Sequence, residues 1–219
     1  MTQNVEFGCF DRQAETDVTY RDLPHWFQPG VAVFITFRTA DSLPKEVILR
    51  WLAEQRDWLQ RNGWSISDDD ELPDPNELPG RLQSPYRQWR DRGWHDLLDG
   101  CHGACVLRDP KLAAMVLDSL RHFDGQRYDL DCAVIMPNHV HLLAQFRPPT
   151  TCRAQSGSWL HFTATEINRS LGRRGAFWQS EPFDHLVRSP EQFEYLRRYI
   201  AENGPRAGLP TTDYLYWRK

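Results

Sequence analysis

Residues 131 to 146 read Asp131-Cys-Ala-Val-Ile-Met-Pro-Asn-His-Val-His-Leu-Leu-Ala-Gln-Phe146. Apolar residues run on both sides of Pro137-Asn138, so the stretch predicts two strands, Asp131 to Met136 and His139 to Phe146, paired across a kink or turn. Side chains at i and i+2 of a strand leave the same face. His139 and His141 therefore present two imidazoles side by side, while Val140 points the other way. That geometry suits two ligands of one metal ion. The spacing also arises by chance on exposed edge strands, and taken alone it leaves both readings open.

Working outward, Val31 to Arg38 is β-branched and aromatic and follows Pro29-Gly30, which predicts an early strand. Ser42-Leu-Pro-Lys-Glu predicts a capped helix start, and the apolar positions from Val47 to Leu59 carry that helix to about Asn62-Gly63. Ser65 to Pro85 holds four prolines and the acidic run Asp68 to Glu71, a composition that predicts a poorly ordered surface insertion. Cys105 to Arg108 reads as a short strand. Asp109-Pro110 opens a helix that ends at Asp124-Gly125. Ser158 to Leu171 has helical periodicity, and Phe177-Trp178 with Phe183 to Val187 suggests another strand.

Ser189-Pro190-Glu191-Gln192 then supplies an N-cap, a proline at the first helical position and a glutamine at the third. It opens a helix through Phe193, Leu196, Tyr199 and Ile200 that breaks near Asn203-Gly204-Pro205. The order of elements fits an α+β domain with helices packed on an antiparallel sheet. One domain over residues 1–219 is expected, with an insertion at about 64–100.

Composition bounds the chemistry. A chain of 219 residues with 40% hydrophobic content can bury one sizeable core. No run of 18 apolar residues occurs, and Met-Thr-Gln-Asn-Val-Glu at the start lacks a basic region followed by an apolar one, so a soluble, cytoplasmic protein without a membrane partner is expected. Five cysteines form no Cys-x-x-Cys pair and read as reduced thiols. The net charge of −4 is uneven: residues 1–100 hold 11 Lys+Arg against 18 Asp+Glu, and residues 101–219 hold 15 against 12. Phosphate binding depends on a local patch rather than on the total.

The last helix supplies what the histidine pair lacks. Tyr195, Tyr199 and Asn203 lie four apart and share one helical face. If that face packs over the His139/His141 strand, a hydroxyl and an amide oxygen join the imidazoles.

With these residues in place the chain resembles the REP-associated tyrosine transposases, in the single-tyrosine branch of the His-hydrophobic-His (HUH) endonucleases. The resemblance runs through Val33-Phe-Ile-Thr-Phe-Arg, then Cys132-Ala-Val-Ile-Met-Pro-Asn-His-Val-His-Leu-Leu, then Phe162-Thr-Ala-Thr-Glu-Ile-Asn-Arg. It continues in Phe177-Trp-Gln-Ser-Glu-Pro-Phe-Asp-His-Leu-Val-Arg and Tyr199-Ile-Ala-Glu-Asn with Ala207-Gly-Leu. It implies a ferredoxin-like α+β fold. His139 and His141 match the metal ligands, Asn203 the third ligand and Tyr199 the nucleophile. The implied reaction is nicking and rejoining of single-stranded or hairpin DNA through a 5′-phosphotyrosine, with Mg²⁺ or Mn²⁺ as cofactor.

Arg173, Arg174, Trp178, Arg188, Arg197 and Arg198 are the candidate DNA contacts, since single strands are held by basic grooves with aromatic platforms, while Trp178 and Phe183 read equally well as core. Tyr195 is expected to be a packing residue, and the chain to act as a monomer, although some relatives exchange the tyrosine helix in a dimer. Two departures stand out: the usual Asn-Pro is here Asn203-Gly204-Pro205, and Leu160-His161 replace a lysine of the relatives. Two rival readings remain: a phosphodiesterase that uses water, and a domesticated hairpin-binding protein that no longer moves DNA.

Overall fold

The computed structural model describes residues 6–20 and 24–219, apart from the side chains of Pro24 and His95. Met1 to Val5, part of the start on which the missing leader pattern was read, lie outside the described residues.

Strands β1 (Asp17–Tyr20) and β2 (Pro24–Phe27) form an antiparallel pair. The main sheet comprises β3 (Ala32–Arg38), β4 (Tyr128–Ile135), β5 (His139–Phe146), β6 (Phe183–Leu186) and β7 (Leu215–Arg218), in the order β6-β3-β5-β4-β7 with every neighbour antiparallel. Helices α3 (Pro110–Arg121) and α4 (Cys152–Ser170) complete a β3-α3-β4-β5-α4-β6 succession. With β6-β3-β5-β4 as its spatial order, this is the expected ferredoxin-like α+β arrangement. Helix α5 (Pro190–Arg206) and β7 extend it.

Strand alternation sorts the sheet into two faces. Val33, Ile35 and Phe37 of β3 and Val140, Leu142, Ala144 and Phe146 of β5 join Leu112, Val116, Leu120, Trp159 and Ile167 of α3 and α4 in one core. Each of the larger aliphatic and phenylalanine side chains stabilises the fold by about 1.5–3 kcal/mol on burial. The opposite alternates, Phe34 and Thr36 on β3 and His139 and His141 on β5, lie on the face that meets α5. Covering both faces makes β4 and β5 almost wholly buried, which explains their near-continuous apolar sequence.

The register of β4 against β5 shifts between Leu130 and Cys132. The extra residue, Asp131, reaches α5, where its carboxylate accepts from Arg197 Nε at 3.0 Å and Nη2 at 2.6 Å. A bulge thus converts one inserted residue into an anchor for the helix.

The chain divides into two compact units, Leu43–Gly103 and the remainder. The smaller lies in sequence between β3 and α3 and begins before the stretch of about 64–100 that the composition singled out. It holds α1 (Lys45–Arg61) and α2 (Gly80–Asp99). Leu59, Ile66, Leu78, Leu82 and Tyr86 form its own core, and the Trp58 and Trp89 rings stack at 5.7 Å. The Pro-rich acidic stretch is therefore pinned at Ile66 and Leu78 instead of being loose surface. Its last proline, Pro85, lies inside α2.

Three local expectations need correction. Ser42 does not cap α1, which starts after Pro44 without a side-chain cap; the Ser42 hydroxyl instead accepts from Gln179 Nε2 at 3.3 Å. Val106–Arg108 is a 3₁₀ turn, not a strand, because Cys105 before it adopts a left-handed conformation at φ 51°. Helix α5 runs through Gly204 and Pro205 and stops at Gly208 (φ 66°), where Gly208 N–H donates to Pro205 O and Leu209 N–H to Gly204 O. That pair of bonds is a Schellman ending. Among the described residues, no helix is long and apolar enough to cross a membrane.

Candidate functional site

The start of α5 follows from its sequence. Ser189 Oγ accepts from Gln192 N–H at 3.2 Å, Pro190 takes the first turn, and Gln192 Oε1 accepts from Arg188 N–H at 2.7 Å. Phe193, Leu196 and Ile200 give the helix a buried stripe. Between those positions the Arg197–Asp131 pair fixes its rotation.

Rotation set in this way carries Tyr199 and Asn203 to the histidine strand. Tyr199 Oη lies 3.5 Å from His141 Nε2, and Asn203 Oδ1 lies 3.2 Å from His139 Nε2. The two imidazole centroids are 4.7 Å apart. His139, His141 and Asn203 are buried, whereas Tyr199 is half-buried.

One hydrogen bond assigns the His139 tautomer: its Nδ1–H donates to Asn138 Oδ1 at 2.7 Å. His141 Nδ1 is hydrogen-bonded to Thr36 Oγ1 at 2.8 Å. Each bond holds its ring with Nε2 turned towards α5. Ligands placed at right angles around Mg²⁺ at about 2.1 Å stand about 3 Å apart, which matches the 3.2 Å between His139 Nε2 and Asn203 Oδ1. Two imidazoles and an amide oxygen therefore fit a divalent ion, with each histidine oriented as metal-ligating histidines are.

Thr36, Asn138 and Phe34 also belong to the site, and the sequence reading did not single them out. Phe34 stacks on His141 at 5.3 Å between centroids and meets the Tyr199 ring edge-on at 6.0 Å. The alternation of β3 could have revealed Thr36 and Phe34, since cross-strand partners share a face. The Arg206 guanidinium lies 6.0 Å from the centre of the Tyr199 ring, at the outer reach of a cation–π contact.

Tyr195 is 56% exposed, so the packing role expected for it is not found. Two of the anticipated DNA contacts are committed elsewhere. Trp178 is buried, with its ring against Phe37 and Phe177 and its Nε1–H donating to Thr163 Oγ1 at 2.9 Å, which leaves no face for a base. Arg197 is taken by Asp131 and Glu194. Arg173, Arg174, Arg188 and Arg198 are exposed. Asp41 places Arg173 near the end of β3: burial pushes that carboxyl up, but the Ala104 N–H at 2.9 Å and, more weakly, the Arg173 charge bring it below its ordinary value.

No protein-family model matches the chain, and no curated protein matches it. A solved structure similar to it is that of a REP-associated tyrosine transposase bound to a REP hairpin, 13% identical, with 88% of this chain and 75% of that chain covered and a TM-score of 0.43.

Proposed function

We propose that the chain is a metal-assisted tyrosine transposase or single-strand endonuclease that nicks and rejoins hairpin-forming DNA, with residues 43–103 as a unit inserted in its HUH domain. The observation that carries this reading is the convergence of the Tyr199 hydroxyl on the paired imidazoles, at 3.5 Å from His141 Nε2, with Asn203 beside His139.

His139, His141 and Asn203 would hold Mg²⁺ or Mn²⁺. Bound there, a divalent cation neutralises and orients a DNA phosphate. Tyr199 Oη attacks the phosphorus, the new Oη–P bond replaces the P–O3′ bond, and the DNA leaves a 5′-phosphotyrosine and a free 3′-hydroxyl. The phenol loses a proton and the 3′ oxygen gains one, so the step consumes none overall. A phenoxide is also a tolerable leaving group, so a second 3′-hydroxyl can reverse the step and join strands. Ionising an unperturbed tyrosine at pH 7 costs roughly 4 kcal/mol. The buried imidazoles and Phe34 hold Tyr199 in place for attack, so its orientation is set before the strand arrives.

The test uses labelled single-stranded hairpins drawn from the DNA beside the gene, run on a denaturing gel after incubation with Mg²⁺. The expected result is a labelled protein band that Tyr199→Phe abolishes and chelation suppresses. Cleaved DNA with no attached protein would mean hydrolysis by water. Retained hairpin binding with neither product would mean a binding protein only.

A further inference from the structure

Beside β6, the terminal strand of the main sheet, lies a groove of about 710 Å³, lined by Phe10, Arg12, Trp26, Phe183, His185 and Arg188 among others. Its walls follow from alternation. On β2, His25 turns to Glu181 and Asp184, so Trp26 turns to the other side. On β6, Asp184 pairs in register with core-facing Ile35, while Phe183 and His185 pair with Thr36 and Phe34 on the face of the histidine site.

Several features distinguish this groove from ordinary surface. Trp26 is 46% exposed and Phe183 50% exposed, two large rings left in water on one edge. The Phe10 ring packs at right angles against Trp26 at 6.3 Å between centroids. Arg12 and Arg188 are both exposed, and no carboxylate of the described residues pairs with either. Asp184, the only carboxylate in the lining, is engaged by His25. Burial and the neighbouring Arg188 charge hold the His185 imidazole below its ordinary pKa, and its Nε2 accepts from Gln192 Nε2 at 2.9 Å.

The groove also leads to the chemistry. His185 pairs with Phe34, and Phe34 packs against both His141 and Tyr199. The distance from β6 to the histidine strand is two inter-strand spacings, about 10 Å.

We propose that this groove binds single-stranded DNA, with bases stacked on Trp26 and Phe183 and phosphates on Arg12 and Arg188, and delivers the strand to Tyr199. Exposed aromatic rings beside arginines without a carboxylate partner are what an unpaired strand requires, whereas duplex bases have no free face to stack. The choice of DNA rests on the function proposed above.

The test uses the full chain carrying Tyr199→Phe, so that bound DNA is not cut. Fluorescence anisotropy follows a labelled mixed-sequence oligonucleotide on the order of 12 nucleotides long, single-stranded and as its duplex, over a salt series. Trp26→Leu should weaken single-strand binding by about five- to hundredfold, while Trp26→Tyr, which keeps a stacking face, stays within about threefold. Arg12→Gln and Arg188→Gln should each reduce the slope of log K against log salt by about 0.7. Thermal melts identify any variant that fails to fold, and the arginine pair remains decisive if Trp26→Leu does.

Three results would overturn the assignment: no single-strand binding, a preference for duplex, or unchanged affinity and slope across the folded variants. Self-association that depends on Trp26, without DNA binding, would assign the groove to a second copy of the chain and overturn it as well. The same variants with Tyr199 intact separate this proposal from the last one. Groove-dependent binding without a covalent adduct keeps the groove and removes the transposase reading. An adduct with unchanged binding in every groove variant does the reverse.

Discussion

Gly204, directly after Asn203, should respond to substitution with opposite signs in two backgrounds. A Cβ added there would meet the Tyr214 ring at 2.4 Å from both Cε1 and Cζ. Carbon atoms pack at about 3.5–4.0 Å, so the ring or the helix must yield by more than about 1 Å. Overpacking of that kind costs roughly 1–3 kcal/mol, whereas alanine gains about 1 kcal/mol over glycine in a helix interior. Gly204→Ala should therefore destabilise the protein by about 1 kcal/mol. With Tyr214→Ala already present the clash disappears, and the same substitution should stabilise by up to about 1 kcal/mol. The coupling between the two positions is then about 2 kcal/mol, measurable in a double-mutant cycle by urea denaturation. Because Asn203 is the neighbouring residue, Gly204→Ala alone should also weaken nicking. Equal effects in both backgrounds, or stabilisation in the presence of Tyr214, would refute the idea that this glycine exists to let the ring close on α5.

Other consequences follow from the same contacts. Arg197→Met would strand the Asp131 carboxylate, whose side chain is 8% exposed, at a cost of about 3 kcal/mol; adding Asp131→Asn should recover most of it in chemical denaturation. Thr36→Val, which removes the partner of His141 Nδ1 with little change of shape, should weaken Mn²⁺ binding by about ten- to hundredfold in calorimetry. Burial alone would lower the His25 pKa, but the Asp184 and Glu181 carboxylates raise it overall. A raised folded pKa means stability that is complete below the unfolded value of about 6.5 and is lost as pH rises through the folded value. Burial raises Asp184 despite the opposing His25 contact, so that group acts in the same direction from about pH 4 upwards. Amide exchange in β1 and β2 should accordingly quicken with pH beyond its intrinsic dependence, and His25→Gln should flatten the excess.

Much of the site was legible because it depends on two periodicities. Alternation placed His139 and His141 on one face, and a four-residue repeat placed Tyr199 above Asn203, both independent of tertiary detail. The boundaries of α5 were harder to read. Asn203-Gly204-Pro205 looks like a stop, yet Pro205 sits in the last turn, where the helix forfeits a single backbone bond, and the effective stop is the left-handed Gly208 four residues on. Short strands such as β1, β2 and β7 have four residues each, too few for a period to declare itself. Trp178 and Arg197 were not decidable for another reason: a tryptophan or arginine near the candidate site has the same sequence signature whether it meets DNA or packs inside. Only the partners, Thr163 and Asp131, decide between those uses.

The central claim is that Tyr199, and not the exposed Tyr195 one turn before it, becomes joined to DNA. Peptide mapping by mass spectrometry after incubation with a single-stranded hairpin and Mg²⁺ tests it most directly. A nucleotide-derived phosphate on the peptide carrying Tyr199, absent from the Tyr199→Phe protein, is the predicted result. The same modification on Tyr195, or DNA cleaved with neither tyrosine modified, would contradict it.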